Sequence, residues 1–117
     1  MKIGPDYLIP EGKTIFRDGG KYAARFMLAY KLAFLFALLE HVERQTGRSD
    51  YESKSFVEMV RSVDEATCKR IWRDSVVSER ANKMAADASY MKALASDFPD
   101  WAASAEREAA DFLASRA

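Results

Sequence analysis

Between Tyr22 and Leu39 the chain reads YAARFMLAYKLAFLFALL, an apolar run interrupted only by Arg25 and Lys31. It is too long and too rich in Leu, Ala, Met and Phe to be a buried strand. A helix that is apolar around most of its circumference has to be enclosed by other elements, by a second copy of itself or by lipid.

Lipid is the strongest rival to a protein enclosure. The run sits at the lower edge of the roughly 20 residues that span a bilayer. Lys31 at mid-membrane costs about 2.5–3.5 kcal/mol on insertion scales, which the apolar residues offset a few tenths at a time. Three features favour protein. Arg25 and Lys31 project to different sides, no tryptophan flanks the run (Tyr22 only partly serves as an interfacial marker), and the remaining apolar stripes need a central partner. Each fully buried Leu or Phe contributes about 1.5–3 kcal/mol, so the other helices gain by wrapping it. A soluble core without membrane contact is expected. Arg25 and Lys31 then snorkel to the surface or meet carboxylates such as Glu79, Asp87 or Asp111.

Residues 1–20 differ in character from 21–117. Pro5, Pro10, Gly12, Gly19 and Gly20 punctuate two short apolar pieces, Tyr7-Leu8-Ile9 and Thr14-Ile15-Phe16. Pro10-Glu11-Gly12-Lys13 suits a turn, so this part is a short hairpin or an extended arm. Its apolar residues must dock on the helical body or on a partner, because an isolated hairpin is marginal in water.

The body is expected to be all-α, a single-domain four-helix bundle-like fold. The first helix covers about Lys21–Gln45 and ends at Gly47, with a Glu40–Arg44 pair near its end. Ala29, Ala33 and Ala37 form a small-residue groove beside a ridge of Phe26, Tyr30, Phe34 and Leu38. A second helix covers Ser55–Ser62, with Ser55 and Glu58 matching a capping box. Asp64 caps a third, which can run to Asp97 with a kink near Ser78–Asn82. It carries a heptad seam of Val77, Ala81, Met84, Ala88, Met91, Ala95 and Phe98. Asp100 caps the last, with Trp101, Ala105, Ala109, Phe112 and Leu113 along one face.

Eighteen basic and eighteen acidic residues cancel, so no overall field draws the chain onto nucleic acid or anionic lipid. One cysteine, Cys68, excludes an intrachain disulfide and reads as packing. The first residues do not follow a secretory pattern, which points to a cytoplasmic protein, and the small size suits a bacterial or phage accessory protein.

Candidate chemistry is sparse. His41, the single histidine, can act as a base only with Glu40 or Glu43 beside it, and it equally suits a helix C-terminus through the dipole. No Glu-x-x-His pair builds a helical di-iron site. No second acidic element completes a carboxylate Mg²⁺ site from Glu40, Glu43, Glu58 or Asp87. There is no Gly-rich phosphate loop. No cofactor and no metal are expected.

The most specific motif is Phe56–Asp74, FVEMVRSVDEATCKRIWRD, where two helices around a tight turn resemble a helix-turn-helix. Lys69, Arg70, Arg73 and Arg80 on its second helix would fall within a third of the circumference, facing phosphates. Glu58, Arg61 and Ser62 depart from that motif where a small residue, an apolar contact and a turn glycine are usual. The reading that follows is a non-enzymatic protein-interaction or assembly module, a homodimeric adaptor or regulator. Its contacts are assigned to Tyr7, Leu8, Ile9, Ile15 and Phe16, and a DNA-binding regulator is the alternative.

Overall fold

The computed structural model describes the backbone of residues 21–115 and, within them, all side chains except those of 21, 22, 112, 113 and 115. The expected hairpin or arm at 1–20 lies outside the described residues. Six helices and no strand occupy the described part: α1 (Lys21–Thr46), α2 (Lys54–Arg61), α3 (Glu65–Trp72), α4 (Ser75–Ala86), α5 (Ala88–Asp97) and α6 (Pro99–Ser115).

The apolar run becomes α1, and the other helices close over it. α4 and α6 make the most extensive contact with it, and α2, α3 and α5 add smaller ones. Ala29, Tyr30, Leu32, Ala33 and Leu38 are 0% exposed, and Phe26, Met27, Leu28 and Phe34 are also buried. The ridge Phe26–Tyr30–Phe34–Leu38 is therefore wholly internal, and Ala29 and Ala33 give neighbouring helices close approach. Beyond Phe34 the enclosure loosens: Leu35, Phe36, Ala37 and Leu39 are half-buried. No helix among the described residues is long and apolar enough to cross a membrane.

Lys31 is the buried charge of this core, 5% exposed. Its Nζ donates to Glu108 Oε1 at 2.7 Å and to Ser104 Oγ at 3.2 Å, and the Ser104 hydroxyl donates to the same Glu108 oxygen at 3.1 Å. The carboxylate is thus Glu108 rather than Glu79, Asp87 or Asp111. Ser104 and Glu108 stand one turn apart on α6, and buried Ala105 and Ala109 bring that helix close to α1.

Where α1 ends, Gly47 adopts φ +69° and its N–H reaches the Glu43 carbonyl at 2.8 Å, a left-handed termination that glycine adopts without strain. The next helix starts two residues earlier than its capping-box pattern implied. Ser53, not Ser55, is the N-cap, and its hydroxyl accepts from the Phe56 N–H at 3.1 Å. Arg48 holds that hydroxyl in place with a 3.2 Å bond.

The expected third helix is three helices. Asp64, Asp74 and Asp87 each turn a carboxylate onto a backbone N–H ahead, at Thr67 (3.0 Å), Val76 (2.9 Å) and Tyr90 (3.0 Å). Aspartate competes in this way for donors that a continuous helix needs, so the chain restarts at each one. The breaks fall at Arg73–Asp74 and at Asp87, not near Ser78–Asn82. They let α3 bury Cys68 and Trp72 while α4 independently buries Val77, Ala81, Met84 and Ala85. Of the heptad seam, Val77, Ala81, Met84 and Met91 are buried, Ala95 and Phe98 half-buried, and Ala88, first in α5, exposed. α6 opens with Pro99 in its first position rather than on an Asp100 cap, and Asp100 favours the helix dipole from the first turn.

Removing Glu108 strands an ammonium inside the core. Glu108→Ala should cost about 3 kcal/mol in urea denaturation, and Lys31→Met combined with Glu108→Leu should recover most of it. A loss below about 0.5 kcal/mol in the single variant would show the pair to be solvated. Asp87→Ala should cost about 1 kcal/mol through the lost cap, measured the same way.

Candidate interaction surface

α1 and α2 meet across the connection at residues 47–53. Gly47 stops α1, and residues 48–53 turn back under a local polar lock. Arg48 Nε donates to Asp50 Oδ1 at 2.9 Å, and a second guanidinium N–H reaches Oδ2. The hydrogen bonds from Arg48, and then from Ser53, hold the Asp50 carboxyl down at about 2. Tyr51 seats its ring edge-on against Phe56, centroids 5.2 Å apart, and donates its hydroxyl to Glu43. That bond pushes the Tyr51 pKa up.

An open groove of about 460 Å³ lies between the C-terminal part of α1 and α2. Val42, Met59 and Val63 give it an apolar lining, with His41, Gln45 and Glu58 among the polar groups at its edge. An apolar floor inside a polar rim is the anatomy of a modest protein contact.

His41 is half-buried on this groove, and the two carboxylates nearest it in sequence serve other partners. Glu40 accepts from Arg80 of α4 at 3.0 Å, in place of the expected pair with Arg44, and Glu43 accepts from Tyr51. Neither is arranged to orient the imidazole as a base. Among the described residues no group of three or more His, Cys, Asp or Glu side chains could hold a metal ion.

The four cationic candidates do not share one helix. α3 stops at Trp72, Arg73 is its C-cap, and Arg80 lies on α4 bonded to Glu40. Lys69 pairs with Glu65 at 3.2 Å, so the exposed Arg70 and Arg73 are what remain of the cationic face on and beside α3. α2 and α3 are nonetheless eight residues each and joined by a three-residue turn, Ser62–Asp64. Tyr7, Leu8, Ile9, Ile15 and Phe16 lie outside the described residues.

One functional-looking group escaped the sequence pattern. Tyr30, counted there only as ridge, sends its hydroxyl to the backbone carbonyl of Trp72, at the point where α3 ends. Its ring stands 4.5 Å from the Trp72 ring, and Phe34 meets the same indole edge-on at 5.0 Å. Burial first, then the Asp74 charge, pushes the Tyr30 phenol up to about 12. The bond ties α1 to a carbonyl in the last turn of α3, which is a structural task. Cys68 lies nearby with its thiol donating to the Val63 carbonyl at 3.6 Å, and burial pushes its pKa up, which suits packing rather than reactivity.

No family model, curated protein or solved structure matches the chain.

Because folding favours the neutral Tyr30 phenol, its contribution is complete below the ordinary tyrosine value of 10.0 and is lost as pH climbs through about 12. Wild type should therefore lose more stability than Tyr30→Phe between about pH 9 and about pH 11 in urea denaturation. Near neutrality Tyr30→Phe should cost about 1–2 kcal/mol by removing the hydroxyl's buried hydrogen bond to the Trp72 carbonyl. Identical pH profiles for the two chains would contradict this placement of the hydroxyl.

Proposed function

We propose that the protein is a non-enzymatic interaction or assembly module, a small cytoplasmic adaptor or regulator that works as a homodimer. The observation that supports this reading is the open groove between α1 and α2, with its floor of Val42, Met59 and Val63. A second copy of the chain is the assigned occupant. Tyr7, Leu8, Ile9, Ile15 and Phe16 are proposed as its contacts, since apolar residues at that density need a protein surface to cover them. Exchange of such a segment between protomers is a low-cost route to a dimer.

A second reading rests on the α2–turn–α3 pair, whose lengths suit a helix-turn-helix. Arg70 and Arg73 would meet phosphates, with Lys69 and Arg80 joining only by leaving Glu65 and Glu40. The loss of those two ion pairs places this second.

Light scattering on the full chain should give about twice the 13.2 kDa chain mass, and Met59→Glu or Phe16→Asp should return the monomer with helix content unchanged. A wild-type monomer across the whole soluble concentration range would overturn the first reading. For the second, duplex DNA should be retained at low salt, with the salt slope falling by roughly 1 in Arg73→Ala. No retention at low salt would remove it.

A further inference from the structure

We draw no further inference here: the strongest candidate, the groove of about 250 Å³ between α1, α5 and α6 lined by Ala24, Leu28, Met91, Ala95 and Ala102, is an unpartnered apolar face, and nothing in the structure shows what covers it.

Discussion

The described fold depends on enclosing the Phe26–Phe34 stretch of α1, which is apolar on nearly every side. The residues of α1 from Phe26 to Phe34 are buried through more than two turns, including positions on opposite sides of the helix. Such a helix cannot rest against a single neighbour. It needs helices on several sides, and the short helices α2 to α5 together with the longer α6 supply them. The interruptions at Asp64, Asp74 and Asp87 divide one stretch of sequence into helices that each contact α1.

Enclosure also forces a solution for Lys31. An ammonium in the interior is tolerable only with a carboxylate and further hydrogen bonds around it. Glu108 and Ser104 provide both from successive turns of α6. The pair is tied to geometry more than to net stability, since apolar replacements of similar volume often do as well. Its consequence is register: α6 meets α1 with Glu108 over Lys31, or leaves a charge unpaired.

Sequence alone revealed the elements that carry strong local signals. The apolar run, its glycine stop at Gly47 and the cap at Asp64 are chemistry of adjacent residues, and the structure places them where the pattern does. The breaks at Asp74 and Asp87 were missed because the 77–98 seam keeps its spacing across the second of them, and periodicity cannot register a cap that interrupts it. Long-range partners were also hidden. Nothing in the spacing of Glu79, Asp87, Glu108 and Asp111 distinguishes the one that reaches Lys31, and Arg44 looked a better partner for Glu40 than Arg80, forty residues away. The groove is likewise a product of tertiary placement. Val42 and Met59 belong to separate apolar stripes and become one floor only when α2 folds back under α1.

Native-state hydrogen exchange tests the enclosure most directly, because amides in a sealed core exchange only when the whole domain opens. The amides from Met27 to Leu38 should be the slowest in the chain, exchanging at the free energy of global unfolding and in step with buried positions of α4. Exchange of that segment as fast as the exposed turns of α5, while the chain remains folded, would mean that α1 is not sheathed by its own protein.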